Sequence, residues 1–552
     1  MSVKIKADIR HWLRELDKKY FFVMLGFAVI VYFPLISLKL TNTVDGLWTT
    51  AEYMAGAWEL SNGRWFWLVT SFLRFSLQLE PINAVVCLVL VSLGVTKLHM
   101  TFKTVHEGRT SCLDWLAGLC YVSNVVVGCY LSFHFIAPEY GFSFFFAMLA
   151  TEHVIRGKSA VSSIVPAAVL LALSLGLYQT NLACFCLVLL AYFLLLLFQN
   201  GEKQKIREYI CKSLASAASG AVLYLLILKI TLWATGTAMA DYQGGADISV
   251  SGILKNLPSS VEKCYELFYR YFFGTLVKHN MLQETAVVFA LIFCVVGAAL
   301  ACRLVRLIRR KDWENTFYGT AALLVLPMMC TVFMVATSQA LFYIPMSGGL
   351  ALFLPVCFWL LDSSREGKTA CDAFRKCWNK AEKALILLTA AAVVYGSVFM
   401  SAVDQQAMYE GRQATKELSD LIAQTLVNEG YYDNEIPVML VGNASNSPLF
   451  RTHELYHTAN PYARVGLFMA ETAGTIRFSW DAAFRDYTPI WLNLCDDKTY
   501  QKLLETEEIA EMPTFPQEGS IRKMDGVLVI KVSEEYHLDA DWKNKMMSGE
   551  YD

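Results

Sequence analysis

The hydrophobic pattern of this chain is dominated by runs that are too long and too apolar to fold in water. Between Lys158 and Glu202, 43 residues pass without an Asp, Glu, Lys or Arg. A helix needs about 20 apolar residues to cross a bilayer, so this run is long enough to cross twice. It is interrupted at residues 178–181 by Tyr-Gln-Thr-Asn, a polar segment suited to a tight turn between two helices. The pattern predicts an integral membrane protein.

Apolar runs and their polar breaks predict eleven membrane spans along the chain. They lie at about residues 21–40, 82–102, 114–136, 141–155, 160–178, 182–199, 213–235, 284–302, 318–337, 347–361 and 384–402. The fourth and tenth are the shortest. The first is a full-length run with no small-residue cleavage site behind it, which favours a membrane helix over a cleaved signal peptide. The fold class predicted is an α-helical polytopic membrane protein.

The distribution of Lys and Arg predicts the orientation of these spans. If residue 1 is cytoplasmic, the inner segments hold more than three times as many Lys and Arg as the outer loops, which hold seven. Short cytoplasmic loops are the ones enriched in these residues. With an odd number of spans, the C-terminus is then predicted to lie outside.

The composition changes to that of a soluble protein after Val403. Residues 404–428 are predicted to form an amphipathic helix, residues 436–442 a buried strand that ends in a glycine turn, and residues 526–532 a second strand. Strand, helix and strand in this order suggest a small α/β unit. The sequence therefore predicts a transmembrane domain at residues 1–402 and an extracytoplasmic α/β domain at residues 403–552.

Composition excludes several classes of function. A net charge of -2 argues against a nucleic-acid partner. No zinc-type His/Cys cluster, P-loop or strand-linked dinucleotide fingerprint occurs, so neither a metal nor another cofactor is predicted. The predicted outer domain has Cys495 alone, which cannot form a disulfide within that domain.

Polar groups that meet the membrane surface are the candidates for chemistry. Asp45, Glu52 and Glu59 follow one another at intervals of seven in the first long outer segment, so on a helix they share one stripe. A carboxylate at this level can act as a base. Alternatively, Asp45 caps a helix that starts at Gly46.

Three short motifs resemble one known family. An Asp just outside the first span is followed about twenty residues later by Gly63-Arg64-Trp65, a second motif reads Leu175-Gly-Leu-Tyr-Gln179, and a third occupies Met512–Ile521. Together they resemble the polytopic bacterial glucosyltransferases of the serotype-converting type (Gtr type II), members of the GT-C superfamily. The family often has two adjacent acids where this chain has Val44-Asp45, so the resemblance leaves Asp45 alone to carry the catalytic role.

The resemblance implies transfer of a hexose, usually glucose, from a polyprenyl phosphate to a cell-surface glycan at the outer face of the membrane. Phosphate is a weak base that leaves without a general acid, so a single carboxylate able to accept the acceptor's proton is sufficient. Such a base favours inversion at the sugar. The partners expected are the lipid-linked donor, the glycan acceptor, membrane lipids, and a separate flippase and donor synthase.

Eight further residues are candidates for binding the lipid phosphate or the sugar. They are Arg64, Trp65, Glu52, Glu139, His134, Tyr178, Gln179 and Arg270. Arg offers a planar set of donors to phosphate, although a single surface Arg more often extends along the membrane interface. His134 is equally well explained as a hydrogen-bonded structural residue, and Tyr178 and Gln179 as residues that satisfy a turn.

Two other classes of function remain open from the sequence. A transporter or flippase of lipid-linked saccharides would be marked by broken helices in paired halves, and no internal repeat is evident. A non-catalytic subunit of glycan assembly would use the outer domain to bind a glycan. The long outer segments at residues 41–81 and 237–283 favour surface chemistry.

Overall fold

A computed structural model describes most of the chain, and the account below is confined to that part. The described residues are 16–41, 45–49, 52–103, 110–199, 201–240, 250–274, 283–336, 342–364, 373–451, 454 and 473–534. Asp45 and Trp48 are described by their backbone alone, so the position of the Asp45 carboxylate lies outside what the structure describes.

Helices account for most of the described residues. The α-helices are Lys18–Val31, Phe33–Ser37, Asp45–Trp48, Ala57–Ser61, Trp67–Leu73, Ile82–Lys103, Cys112–Val122, Val125–Ser132, Ala137–Arg156, Ala160–Leu177, Asn181–Phe198, Lys203–Thr235, Val250–Phe273, Gln283–Arg309, Trp313–Met329, Gly348–Ser363, Ala373–Asn428, Ala473–Tyr487, Asp497–Leu504 and Glu507–Glu511. Short 3-10 turns occupy His134–Ile136, Val332–Val335, Ile344–Ser347 and Ala444–Asn446. The strands are β1 (Val438–Val441), β2 (Ile521–Met524) and β3 (Val527–Lys531).

Eight helical segments of the described chain are long and apolar enough to cross a membrane. They correspond to every predicted span except the first, fourth and ninth. Those three are helical as well, as Lys18–Val31, Ala137–Arg156 and Trp313–Met329, but they are shorter or carry more polar residues. The prediction of a polytopic helical membrane protein is confirmed, whereas the count of eleven stays a prediction.

The first helix is interrupted near the surface. It ends at Val31, and a second short helix begins at Phe33 with Pro34 in its first turn, where a missing backbone N–H is tolerated. Gln405 on the long helix Ala373–Asn428 bridges the interruption: its Nε2 donates to the Val31 carbonyl at 3.0 Å, and its Oε1 accepts from the Leu35 N–H at 3.1 Å. The outer end of the first helix is thereby held against the long helix.

The bundle interior is closely packed because small residues let helices approach each other. A Cβ added at Gly94 would lie 2.7 Å from the Phe144 ring, and one added at Gly141 would lie 3.0 Å from the Cys87 Cα. Small residues at helix contacts are typical of membrane bundles. These contacts join helices Ile82–Lys103 and Ala137–Arg156, whose N-terminal ends lie next to groups of the candidate site.

The C-terminal part contains a three-stranded sheet in the order β1-β3-β2. β1 and β3 are parallel, and β2 and β3 are antiparallel. The two predicted strands are therefore β1 and β3, and Gly442, with φ +88°, ends β1 as predicted. The Trp480 indole donates to the Gly442 carbonyl at 2.9 Å, which holds helix Ala473–Tyr487 on the sheet.

The amphipathic helix predicted at residues 404–428 is not a separate element. The last span and that segment form one continuous helix, Ala373–Asn428. The predicted domain boundary at residue 403 falls inside this helix, so the division into residues 1–402 and 403–552 stays a prediction. Beyond that point the helix buries Leu418, Ile422 and Leu426 in the apolar core of the C-terminal part, and Leu47 joins the same core.

Candidate active site

The Gly63-Arg64-Trp65 motif is fixed by side chains from two other helical segments. Gly63 has φ +80°, and a Cβ there would lie 2.4 Å from the Tyr224 hydroxyl and 2.8 Å from Gln179 Nε2. Gln179 Nε2 donates to the Asn62 carbonyl at 2.8 Å, and the Tyr224 hydroxyl donates to the Gly63 carbonyl at 3.2 Å. Glycine is required here both by the left-handed backbone and by these close contacts.

The first two family-like motifs pack directly on each other. A Cβ added at Gly176 would lie 2.5 Å from the buried Trp65 ring. The Phe66 N–H donates to the Gly176 carbonyl at 3.0 Å, and the Trp67 indole donates to the Leu177 carbonyl at 2.7 Å. Trp65 and Gln179, which sequence reasoning proposed for substrate binding, therefore make contacts that hold the loop carrying Arg64.

Arg64 is partly buried beside this packed motif. Its guanidinium carbon is 4.7 Å from the centroid of the Trp67 ring, within the range of a cation–π interaction. Tyr53 lies close enough to interact with both Arg64 and Glu139. Burial beside the Glu59 and Glu139 carboxylates raises the Tyr53 pKa, and the charge of Arg64 opposes that rise. Arg64, Glu59 and Glu139 thus share one neighbourhood.

Glu139 is committed to an ion pair. It lies in the first turn of helix Ala137–Arg156, where a carboxylate also interacts favourably with the helix dipole, and it is only 1% exposed. Arg74 Nη2 donates to Glu139 Oε1 at 2.7 Å, and Arg74 Nη1 donates to the Phe135 carbonyl at 2.8 Å. The pair occupies one Glu139 oxygen and fixes the turn that follows His134.

A cavity of about 230 Å³ opens at the same end of the bundle. It is lined by Lys39, Thr41, Leu47, Gln78, Glu80, His134, Arg412, Asp486 and Tyr487. Leu47 belongs to the short helix that begins at Asp45, so the backbone of Asp45 lies one helical turn or less from the cavity wall. We refer to this space as the outer cavity, after the side of the membrane that the Lys and Arg bias predicts for this end of the bundle.

Burial sets the protonation of two groups in the outer cavity. It raises the pKa of Glu80 to about 7, against the opposing charges of Lys39 and Arg74. Burial also lowers the pKa of His134 to about 4, and a hydrogen bond with the Thr49 backbone opposes this shift. At neutral pH, His134 is therefore an uncharged imidazole beside the Asp45–Trp48 helix.

The remaining predicted residues lie apart from the outer cavity. Glu52 is exposed, and its backbone pairs with Leu77. Tyr178 is buried and meets the Tyr140 ring edge-on, with the ring centroids 4.9 Å apart. Arg270 lies on helix Val250–Phe273, where its Nη1 donates to Glu266 at 3.3 Å. Of the predicted set, His134 lines the cavity, and Asp45 begins the short helix that contributes Leu47 to the lining.

Sequence reasoning did not single out Lys39, Glu80 or Arg412 for this site. Glu80 could have been found, because it precedes Pro81 at the outer end of the second span, level with the Asp45 segment. Lys39 marks the outer end of the first span in the same way. No local signal identifies Arg412, since it reaches the cavity only through the continuous helix Ala373–Asn428. Among the described residues, no three His, Cys, Asp or Glu side chains lie together as metal ligands.

The fold and the site define a multi-pass membrane protein with a polar, partly enclosed cavity at one face of its helix bundle. The family model described as Glucosyl transferase GtrII matches residues 39–356, which is more than half of the chain. The chain belongs to that family. The resemblance seen in its motifs is thereby confirmed, and the family places it among membrane glycosyltransferases.

Two solved structures show a distant overall similarity. One is the oligosaccharyltransferase of Archaeoglobus fulgidus in complex with Zn and sulfate, with 10% identity, a TM-score of 0.35, and coverage of 80% of this chain and 61% of that one. The other is the oligosaccharyltransferase AglB from the same organism with an inhibitory peptide and a dolichol-phosphate, with 10% identity, a TM-score of 0.35, and coverage of 83% and 65%. The chain spans less than two thirds of either protein. No curated protein sequence matches it significantly.

Proposed function

We propose that this protein transfers a hexose, most simply glucose, from a polyprenyl phosphate carrier to a cell-surface glycan at the outer face of the bacterial cytoplasmic membrane. The observation that carries the proposal is the outer cavity. It lies beside the helix begun by Asp45, at the end of the bundle where the family-like motifs pack together. Membership of the glucosyl transferase family supports the reaction class.

Asp45 is the proposed general base. The acceptor hydroxyl gives its proton to the Asp45 carboxylate as its oxygen attacks the anomeric carbon, and the bond to the carrier phosphate breaks on the opposite face. The phosphate leaves as an anion and needs no proton, so one carboxylate completes the exchange with inversion. A glycosidase, by contrast, usually needs two carboxylates.

His134 is the proposed positioning residue for this base. It is 6% exposed, lines the outer cavity and contacts the backbone of Thr49, which directly follows the Asp45–Trp48 helix. Because its pKa is lowered to about 4, it adds no positive charge beside the base at neutral pH.

Arg64 is the proposed partner of the carrier phosphate. Its planar guanidinium can form two parallel hydrogen bonds to phosphate oxygens, and the packing of Trp65, Trp67 and Gln179 orders the loop that presents it. Arg64→Lys keeps the charge but removes the paired geometry. Loss of one charge-assisted hydrogen bond, ~1.5 to 3 kcal/mol, corresponds to roughly ten- to 150-fold in apparent donor affinity.

The proposal includes an extracytoplasmic location for residues 403–552 and a separate flippase and donor synthase. The enzyme would use donor that already faces outward, because the cavity proposed to hold its chemistry lies at the end of the bundle that the Lys and Arg bias predicts to be outside. No metal is needed for this mechanism, since the lipid phosphate takes the place of a nucleotide diphosphate.

The test is hexose transfer by the purified protein in lipid nanodiscs. A polyprenyl phosphate hexose is the donor, and surface glycan from cells that lack this protein is the acceptor. A general base contributes typically 10² to 10⁴-fold, so Asp45→Asn should reduce transfer by that factor with unchanged membrane yield. A protein that only moves the lipid across the bilayer would leave the hexose on its carrier.

The helix-capping alternative makes the opposite prediction. Asn caps helices about as well as Asp, so Asp45→Asn would be almost silent, whereas Asp45→Ala would lower stability by ~0.5 to 2 kcal/mol. Near-normal transfer by Asp45→Asn would remove Asp45 from the mechanism and leave Glu80 and Asp486 as the carboxyl groups that line the outer cavity.

A further inference from the structure

One wall of the outer cavity is built by the chain that follows the last span. Arg412, Asp486 and Tyr487 line the cavity from that side. Arg412 Nη1 donates to the Leu38 carbonyl at the end of the first span, and its guanidinium carbon lies 5.8 Å from the centroid of the Tyr487 ring. This residue therefore joins the membrane part of the site to the C-terminal part.

The same wall is packed on the helix that begins at Asp45. Helix Ala473–Tyr487, which ends in the cavity, contacts helix Asp45–Trp48, and Leu47 is buried in the core of the C-terminal part. The proposed base and the C-terminal wall consequently form one packed unit. A ligand held by that wall lies within reach of the segment that carries the proposed base.

The mixture of polar groups in the cavity selects the chemistry of its ligand. Lys39 and Arg412 are donors only, whereas the Asp486 carboxylate is an acceptor and the Glu80 carboxyl group donates or accepts according to its protonation. A phosphate offers only acceptor oxygens at neutral pH, so it could pair with the two cations but could not form a hydrogen bond with the Asp486 carboxylate. A sugar hydroxyl both donates and accepts, and the Tyr487 ring adds an aromatic surface of the kind that sugar rings pack on. The lining therefore suits an uncharged polyol.

The volume of the cavity limits the size of that ligand. Sites for drug-sized molecules occupy roughly 300 to 1,000 Å³, and the outer cavity, at about 230 Å³, is smaller. One sugar unit fits such a space, whereas an oligosaccharide would extend from it into solvent. The C-terminal wall lies on the solvent side of this opening, because it belongs to the part of the chain beyond the last span.

We propose that the outer cavity binds the hexose unit of the acceptor glycan that receives the transferred sugar, with Asp486 and Tyr487 as its contacts from the C-terminal part. This inference rests on the proposed transferase function. The acceptor is favoured over the donor sugar because the donor must keep its lipid chain in the membrane, whereas a surface glycan approaches from the solvent side where this wall stands.

The test separates acceptor binding from donor binding in the full-length protein. Transfer is measured in nanodiscs with the acceptor glycan varied at fixed donor, and then with the donor varied at fixed acceptor. Asp486→Ala and Tyr487→Ala should each raise the acceptor KM roughly ten-fold or more, the effect of losing a hydrogen bond to a charged group or an aromatic contact in a desolvated site. The donor KM and kcat should stay within about two-fold of the unchanged protein.

Matched controls come from the same part of the chain. Trp491 is 69% exposed and does not line the cavity, so Trp491→Ala should leave both KM values unchanged. Tyr487→Phe keeps the ring beneath Arg412, and Asp486→Asn keeps the shape of the side chain. If an Ala variant lowers the thermal unfolding temperature, these two milder variants test the Tyr487 hydroxyl and the Asp486 charge without the loss of packing.

Three outcomes would overturn the inference. Unchanged acceptor KM in the Ala variants would do so while the proposed function stands. A rise in donor KM instead would place the donor's hexose in the cavity. If the unchanged protein transfers no hexose, the proposed function fails by itself, and calorimetric binding of the same glycan without donor then decides: equal affinity for the unchanged protein and Tyr487→Ala would overturn the cavity assignment too.

Discussion

At the scale of single residues, Lys39 combines an unfavourable backbone conformation with a place in the outer cavity. Its φ is +51°, and the Leu40 N–H donates to the Leu35 carbonyl at 2.9 Å, which closes the end of helix Phe33–Ser37. Glycine is usual at such a position, and an L-residue with a side chain costs roughly 1–2 kcal/mol there. The Lys39 side chain therefore lowers stability locally, because glycine would adopt this backbone conformation without strain. Such local strain is often found at functional sites.

Lys39→Gly should separate stability from function. We expect the variant to unfold at a higher temperature, by about 1 kcal/mol of stabilisation, because the left-handed conformation no longer strains the backbone. If the Lys39 ammonium contacts substrate, hexose transfer should fall at the same time. Lys39→Asn, which tolerates the same conformation, should behave alike. A more stable variant with full transfer would show that the charge is not used.

Glu80 should make the stability of the protein depend on pH. Its pKa is raised from 4.5 to about 7, so the folded protein binds this proton more tightly than the unfolded chain does. The stabilisation from protonation is complete below about pH 4.5 and is lost as the pH rises through 7. Glu80→Gln should therefore be more stable than the unchanged protein at pH 8, with the difference shrinking at pH 5. Thermal unfolding at both values checks this, with the exposed Glu52→Gln as control.

At the scale of structural elements, the close contact between helix Ala160–Leu177 and the Gly63-Arg64-Trp65 loop is the clearest target. A Cβ at Gly176 would lie 2.5 Å from the Trp65 ring, and the bulky indole has little room to move. Gly176→Ala should cost ~1–3 kcal/mol by overpacking and lower transfer by displacing Arg64. Gly396→Ala is the control, because nothing lies within 4 Å of a Cβ there. It should be neutral or slightly stabilising, since Ala favours a helix more than Gly does. Equal behaviour of the two variants would contradict the packing argument.

The elements also show what the sequence could and could not reveal. Apolar runs located the membrane helices because burial in lipid requires about 20 such residues, and the two apolar strands near residues 436–442 and 526–532 were found for a similar reason. β2 was missed because its four residues have two exposed positions at the centre. The continuity of Ala373–Asn428 was missed because a change of composition marks where a helix leaves the membrane, not where it ends. Arg412 reaches the site only through that continuity, so it could not be predicted.

At the scale of the whole molecule, packing restricts the topology independently of the span count. Leu47, from the first outer segment, shares an apolar core with Leu418 and Leu426 from the C-terminal part. Two segments in one core lie on the same side of the membrane, so an even number of crossings must separate them. The eleven predicted spans satisfy this requirement, with ten between residues 41 and 403. A different count satisfies it only if spans are lost or gained in pairs.

The orientation of that shared side is the last prediction, and it follows from charge. Arg303, Arg306, Arg309, Arg310 and Lys311 lie together at one end of helix Gln283–Arg309. Short basic segments are retained inside, so this end is predicted to be cytoplasmic. The exposed segment between Asn428 and β1 should then face outward.

A specific protease site inserted between Asp433 and Asn434 should be cut when protease is added to intact spheroplasts. The same site inserted between Arg310 and Lys311 should be cut only after lysis. The reverse pattern would invert the map and move the outer cavity to the cytoplasmic face, where an outward-facing surface glycan could not reach it. Cleavage of both sites in intact spheroplasts would place the basic segment and the C-terminal part on one side, against the positive-inside bias from which the orientation was predicted.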